Sequence, residues 1–497
     1  MLITFTQEQP LYRQIYDSFR EKIARGELQP GQKIPSSREL ASQLGISRSS
    51  VIEAYDQLIS EGYLETRHGS GTFINPAMDN AVEPSSSKQQ KPARSTTKLS
   101  QSSPQLSEAA KQVDRQLPGI FFNPPNLEKY PIRFSFQAGR THTDPRSEKI
   151  WQQLIKESAK QGIEQPTPNQ GNLALRQALA EHLRQVRNCH CSADNIVITN
   201  GSQQAFDILG RLFLNPGDTV AVEEPGYFGA KAAFAGNHGK LAYIKTDLQG
   251  IDISQLENKA SGAKLVYVTP SHQFPRGSVL PRERRLALLE WANSENAFII
   301  EDDYDSEFRY TGKPLESIQS IDPYGRTLYV GTFSKLVSPA LRIGYVVLPE
   351  NLIQPFLRVR WAMDVKTPPL QQTALAQWLQ EGHHRRHIRR LQKIYHGRRN
   401  ALVQSLNKHF SHDEVTIEGS STGLHIFVSL KQVAHSQLAA LLEDLTHSGI
   451  AVTSSDFFYH RSPKQCCFIL GFSSIPESQI DPGIKQLAKL ARKHAKR

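Results

Sequence analysis

Lys335 closes the run Gly331-Thr332-Phe333-Ser334-Lys335, with Thr332 and Ser334 beside it and Arg342 seven residues on. Glu301-Asp302-Asp303-Tyr304 ends the apolar stretch Phe298-Ile299-Ile300 in carboxylates and a phenol. Thr199-Asn200-Gly201-Ser202-Gln203 follows a β-rich run and opens a helical pattern. There Gly201 lets the backbone approach an anion, and Ser202 and Gln203 add donors at a helix N-terminus. Taken singly, each has a plain structural reading. A Ser-Lys pair is usually a surface lysine, paired aspartates usually a solvated strand end, and many helices are capped by Gly-Ser.

One chemistry asks for all three groups together. Pyridoxal phosphate needs a lysine amine for a Schiff base, a carboxylate facing the pyridine nitrogen, and donors for a dianionic phosphate. Such groups belong at the C-terminal ends of parallel strands. Short β-rich runs at 195–199, 219–223, 265–269, 297–301, 327–330 and 342–348 alternate with helical patterns such as 203–214 and 282–293. That rhythm predicts an α/β domain with a largely parallel sheet. A further helical and strand set from 370 onward predicts a smaller C-terminal subdomain.

The N-terminal end carries a different chemistry. Pro10 can open a helix, and Leu11, Ile15, Phe19 and Ile23 form one apolar stripe. Gly26 and Pro30-Gly31 stop it. Ser36-Ser37-Arg38-Glu39 has capping-box spacing ahead of Leu40 and Leu44. Gly45 turns the chain, and Ser47 caps a third helix with Val51, Ala54, Tyr55 and Leu58 inward. Arg48, Ser49 and Ser50 are then exposed at its start, the end that a recognition helix presents to a major groove. Arg48 can make a bidentate contact to guanine or phosphate. Residues 64–67 and 70–74 flank His68-Gly69, a hairpin or wing with Arg67 near its tip. The candidate DNA-facing set is Ser36, Arg38, Ser47, Arg48, Ser49, Ser50, Arg67 and Gly69. A helix pair of this kind taken alone is as often simply packed helices.

Composition bounds these readings. The chain has 497 residues and a net charge of +11, enough length for two or three domains. Residues 1–75 hold eight Lys/Arg and nine Asp/Glu, so the DNA reading does not rest on net charge. The excess lies in 381–400 and 485–497, which read as solvated helix faces with a possible supporting role against phosphate. Residues 76–130 include Pro84-Ser85-Ser86-Ser87-Lys88-Gln89-Gln90-Lys91-Pro92 and show weak apolar periodicity. They read as a flexible linker whose far end, at 121–125, docks on the following domain. No apolar run reaches the roughly 18 residues a membrane span needs. No secretory signal is visible, and the four cysteines form no CxxC pair, so a reduced cytoplasmic protein without a metal site is expected.

The run Ile34-Pro35-Ser36-Ser37-Arg38-Glu39-Leu40-Ala41, with Leu44-Gly45-Ile46-Ser47-Arg48, Glu61-Gly62-Tyr63-Leu64 and Gly69-Ser70-Gly71-Thr72-Phe73, resembles the GntR winged helix-turn-helix. From about 131 to 480 the chain resembles a fold-type I aminotransferase, as in the sensor half of the MocR subfamily of GntR regulators. The stretches that carry this are 171–176, Glu224-Pro225-Gly226-Tyr227, Thr269-Pro270-Ser271-His272-Gln273-Phe274-Pro275, 301–310 and 331–345. The resemblance implies a DNA-binding head at 1–75, the linker, and an aminotransferase-like domain at 131–497 that binds pyridoxal phosphate. It further implies that Lys335 holds the cofactor and that Asp302 pairs with the pyridine nitrogen. Tyr304 would donate to the phenolic oxygen, and Tyr227 would pack on the ring. Ser202, Gln203, Ser334 and Arg342 would surround the phosphate. A homodimer on a double-stranded operator follows, with a small effector that is pyridoxal phosphate or an amino compound.

Two departures bear on activity. The family's R-L-G-F motif, whose arginine grips a substrate carboxylate, reads Ile469-Leu470-Gly471-Phe472 here. Arg358 and Arg360 are candidates to compensate. The family's Y-G-D-P-Q-G segment, which helps to complete the site across a dimer, reads Thr167-Pro168-Asn169-Gln170-Gly171 after Gln165-Pro166. Both favour sensing over turnover. The competing expectation is a working aminotransferase with an appended DNA-binding domain, and a third is a sensor domain without cofactor that serves dimerisation.

Overall fold

A computed structural model of the chain describes Phe5 and residues 9–67, 69–77, 105–117, 131–160, 168–312 and 316–495. The chain divides into two compact units, Met1–Ser103 and Pro104–Arg497.

The first unit is three helices and a hairpin. The helices are Leu11–Ala24, Ser37–Leu44 and Arg48–Ser60, and strand Leu64–Arg67 pairs antiparallel with Gly71–Ile74. Ile15, Phe19, Leu40, Val51, Ala54, Leu58 and Ile74 are fully buried in its core. Phe19 meets Tyr55 edge to face at 5.5 Å. The helix starts form as their caps dictate. Ser36 and Glu39 make the reciprocal capping box, and Ser47 Oγ accepts from the Ser50 amide. Gly45 takes φ +66°, a left-handed turn that glycine adopts without steric cost. Ile15 and Phe19 of the expected stripe are fully buried and Ile23 packs against them, while Leu11 in the first turn is exposed and Tyr16 joins the core. Position 68 of the expected hairpin tip lies outside the described residues.

The second unit holds an eight-stranded sheet. Its order is Ile196–Thr199, Gly344–Val347, Thr327–Thr332, Phe298–Asp303, Leu265–Val268, Thr219–Glu224, Lys240–Asp247 and Gly250–Ile251. Gly344–Val347 runs antiparallel to both neighbours, as does the two-residue edge strand, and the other pairings are parallel. Buried Val, Ile and Leu populate the central strands on both faces, as helices covering both sides require. A second sheet has the order Val415–Glu418, His425–Ala434, Gln465–Gly471, Ile450–Ser454 and Phe134–Phe136. The expected C-terminal subdomain thus recruits a strand from the start of the unit.

Three details differ from the sequence expectation. Residues 105–117 are not featureless linker. Ser107 caps the helix Glu108–Gln116, and Val113 packs so closely that a Cβ on Gly236 would lie 2.7 Å from its Cγ2. The rest of the linker, including the 121–125 stretch, lies outside the described residues. The strand expected at 297–301 runs on through Asp303, which brings Asp302 into the sheet. Arg342 does not begin a strand: it sits at φ +51° and the strand starts at Gly344.

Some members of the basic runs bond within the chain. Arg390 donates to Asp144 Oδ2 at 2.8 Å, Arg399 to Ser420 O at 2.7 Å and Arg492 to Glu414 Oε1 at 2.6 Å. Most of the other cations in these runs, Arg385, Arg386, Arg389, Lys393, Lys485 and Lys489 among them, are exposed, as expected of solvated helix faces.

Candidate cofactor site and candidate nucleic-acid interface

The Lys335 site lies where several strands end. Gly344 crosses the turn before helix Ser202–Phe213 so closely that a Cβ on it would fall 2.6 Å from Gly201 C and 2.8 Å from Ser202 N. A Cβ on Gly201, at φ +82°, would fall 2.9 Å from Arg342 Nη2. The guanidinium is thus seated against the helix N-terminus, where amide N–H groups and the helix dipole already favour an anion. Ser334 Oγ is buried and lacks a partner among the described residues.

Asp302 supplies the carboxylate. Tyr267 donates to its Oδ2 at 2.6 Å, and its Oδ1 is buried with no partner among the described residues. Burial, together with nearby Asp303 and Asp305, outweighs the Tyr267 bond and pushes its pKa up to about 7. A cation against Oδ1, such as a protonated ring nitrogen, would restore the charged form. The neighbouring carboxylates are held separately. Asp303 receives Arg187 at 2.7 Å and the Tyr329 hydroxyl, and Glu223 accepts from the Thr269 hydroxyl at 2.6 Å.

Lys335 Nζ donates to Gly139 O at 3.1 Å. Burial lowers its pKa below the ordinary lysine value; Asp305 opposes this and Arg342 adds to it. A larger neutral fraction of the amine follows, which is the form that attacks a carbonyl. Tyr304 is engaged by His272, whose carbonyl oxygen and Nδ1 each lie 2.9 Å from the hydroxyl; Nδ1 also lies 2.9 Å from Asp305 Oδ2. Tyr227 lies edge-on to Phe274 at 5.9 Å. Burial, then Asp302, push its pKa up to about 12, so it stays a neutral donor. Gln203 Nε2 donates to Gly229 O at 2.7 Å, beside the Tyr227 ring.

The orphaned Asp302 Oδ1 and Ser334 Oγ, the Gly201 cradle and the Lys335 amine fit the donor set that pyridoxal phosphate needs. Tyr267, His272, Asp305 and Gly139 also join this neighbourhood. The sequence held a signal for two of them, since His272 and Asp305 lie inside the stretches that carry the family resemblance.

Ile469 is fully buried on strand Gln465–Gly471, in an apolar cluster with Phe427 and Phe458 against which Phe228 and Phe274 pack. Phe274 in turn faces Tyr304 at 5.8 Å. Apolar carbon therefore stands where a carboxylate-gripping arginine was sought. Neither proposed substitute reaches the site. Arg360 is buried, donating to Ile198 O at 2.9 Å. Arg358 lines a separate cavity of about 330 Å³ with Trp361, Leu357 and Pro168. Residues 165–167 of the altered segment lie outside the described residues.

In the first unit, Ser36, Arg38, Ser47, Arg48 and Ser49 are exposed, and Ser50 is half-buried. Arg48 Nε lies 3.4 Å from Ser37 Oγ, bringing the starts of the second and third helices together. Ser47 Oγ lies 3.0 Å from Ser49 Oγ and 2.8 Å from Ser50 Oγ, so the cap occupies part of this hydroxyl set. Arg67 ends the first wing strand over the Phe73 ring at 4.7 Å, and Glu65 pairs with it at 2.6 Å. Gly69 is exposed at φ +75°. Lys33, which bridges to Phe73 beside the wing, adds a cation outside the expected set. Arg48→Ala is expected to weaken specific operator binding by about 1–3 kcal/mol if its contact is bidentate to a base. Unchanged affinity in a titration would exclude Arg48 as a reader.

Comparison with known proteins agrees with both units. Residues 136–485 match the family described as aminotransferase class I and II, and residues 11–74 match bacterial regulatory proteins of the gntR family. The probable rhizopine catabolism regulatory protein MocR of Rhizobium meliloti is 33% identical, over 96% of this chain and 93% of its own length. The HTH-type pyridoxine biosynthesis transcriptional regulator PdxR of Corynebacterium glutamicum is 31% identical, over 94% of this chain and 93% of its own. Among solved structures, the kynurenine aminotransferase of Pyrococcus horikoshii is 30% identical with a TM-score of 0.71, covering 79% of this chain and 98% of that one. With a GntR helix-turn-helix ahead of an aminotransferase class I and II domain, and full-length relatives built the same way, the chain belongs to the MocR-type GntR family of bacterial regulators.

Proposed function

We propose that this chain is a cytoplasmic DNA-binding transcriptional regulator whose aminotransferase-like domain binds pyridoxal phosphate through Lys335 and reports its occupancy to the operator. When bound, the cofactor supplies an aldehyde for the lysine amine and an electron-poor ring. Asp302 would pair with the ring nitrogen, Tyr304 would donate to the phenolic oxygen, Tyr227 would pack on the ring, and Ser202, Gln203, Ser334 and Arg342 would hold the phosphate. Among the described residues, no helix is long and apolar enough to cross a membrane.

The observation that carries sensing over catalysis is Ile469, buried in carbon at the position where an arginine would grip a substrate carboxylate. Without that bidentate partner, an α-amino acid loses its main orienting contact. The signal is then the cofactor itself or an amino compound held by other means. A homodimer would present two heads to half-sites about one helical turn apart, ~10 base pairs, or multiples. Full switching requires the ligand to favour one state by about 5 kcal/mol, whereas a coupling of about 1–3 kcal/mol tunes affinity.

The test is an operator-binding titration with and without pyridoxal phosphate, then with candidate amino compounds. A shift in midpoint is expected with a ligand of the Lys335 site, and an identical curve under every ligand would overturn the sensor reading. The second reading, a working aminotransferase, is favoured by the intact Lys335, Asp302 and Arg342 arrangement. Steady multiple-turnover transamination that is abolished in Lys335→Ala would establish it in place of sensing.

A further inference from the structure

Away from the Asp302 carboxylate, three side chains from three separate elements converge. His182 comes from helix Leu173–Arg187, Glu307 from the loop after strand Phe298–Asp303, and His384 from the first turn of helix His383–His409. Nε2 of His182 and Nε2 of His384 each lie 3.2 Å from the same oxygen, Glu307 Oε1. The three ligand atoms all lie within 4.8 Å of one another. A tetrahedral zinc ion bound at ~2.0–2.1 Å sets its ligands about 3.3 Å apart, so both nitrogen–oxygen separations already match that edge.

His384 Nδ1 is buried without a hydrogen-bond partner among the described residues. The His384 side chain is 2% exposed, Glu307 13% and His182 18%, so solvent reaches the group from the His182 side.

We propose that His182, Glu307 and His384 form a binding site for a divalent transition-metal ion, with water from the open side as fourth ligand. Two imidazoles and one carboxylate suit zinc or cobalt better than magnesium or calcium, which prefer all-oxygen sites. The site abuts the cofactor neighbourhood. The His384 ring lies 6.0 Å from that of Phe333, two residues before Lys335, and Glu307 follows Asp305 by two. An ion here would tie the loop after strand Phe298–Asp303 to helices Leu173–Arg187 and His383–His409.

The test uses the full-length chain, free of any polyhistidine tag and stripped with a chelator. Cobalt is titrated while its visible ligand-field absorbance is followed, then displaced with zinc. One equivalent is expected, with a tetrahedral spectrum. His182→Phe and His384→Phe should each weaken binding by roughly tenfold or more, since losing a ligand costs at least what losing an outer-shell partner does. The exposed His190→Asn variant should match the parent. Should His384→Phe fail to fold, His182→Phe at its less buried position decides the matter alone. The proposal is overturned by no binding in the parent, by unchanged binding in His182→Phe, or by loss confined to His272→Asn. That last result would place the ion at the second buried group, His272, Asp305 and His425.

Discussion

Lys335→Ala is expected to abolish the near-visible absorbance band, and the borohydride-reducible adduct, that the parent chain forms with added pyridoxal phosphate. The argument is local. The Lys335 amine is pre-set toward its neutral form by burial and by Arg342, and Gly139 O orients it. Removing it leaves the anion end intact, because Arg342 remains seated against Gly201 at the helix start. The variant should therefore keep a weaker, non-covalent affinity for the cofactor phosphate. Operator binding without ligand should be unchanged, while any ligand-dependent shift should shrink or vanish. Absorbance spectroscopy before and after reduction checks the first point. A band of parental intensity in the variant would assign the linkage to another lysine. Lys231 is a poor alternative, being buried and paired with Glu224 at 3.1 Å.

Phe19→Ala is expected to unfold the DNA-binding head and spare the rest. Phe19 is fully buried, meets Tyr55 edge to face, and lies in a core separate from those of the larger unit. Deleting a buried phenyl group costs about 3–5 kcal/mol. A unit of this size has a total stability of roughly 3–10 kcal/mol, so the substitution removes most or all of it. Scanning calorimetry of the full chain should lose or sharply lower one unfolding transition while the other stays. Operator binding should disappear at temperatures where the Lys335 absorbance band persists. A head that melts at the parental temperature would show that Phe19 is not the keystone its burial suggests. The pair of variants separates the halves of the proposal, one silencing the ligand site and the other the reading head.

Legibility differed between elements for physical reasons. Caps and turns are local, so Ser36 with Glu39, Ser47 and Gly45 were readable, and the helices start and stop where those residues require. Strands of Val and Ile bounded by turns were readable too, within two residues. The helix Glu108–Gln116 was missed because it buries no residue fully, although Ser107 and Glu108 mark its start and Arg115 its end. The first helix shows the expected face, with Ile15 and Phe19 inward, but its first-turn Leu11 is exposed and Tyr16 beside the stripe is buried, which only packing decides. The basic runs read as largely solvated faces and most of their cations are exposed, but the partners of Arg390, Arg399 and Arg492, which are Asp144, the carbonyl of Ser420 and Glu414, were not legible because they lie outside those runs.

By itself the sequence determined the two chemistries and their order along the chain: a capped helix that presents Arg48, and a lysine, a carboxylate and an anion-binding turn on an alternating α/β pattern. Those follow from residue type at short range, where backbone geometry is set by neighbours. Tertiary structure alone decided which groups meet. It placed Tyr267 on Asp302, His272 on Tyr304, apolar carbon around Ile469, and two histidines on Glu307 from elements more than seventy residues apart. Such meetings depend on sheet order and on loop ends brought together across the fold, and spacing along the chain carries no record of them.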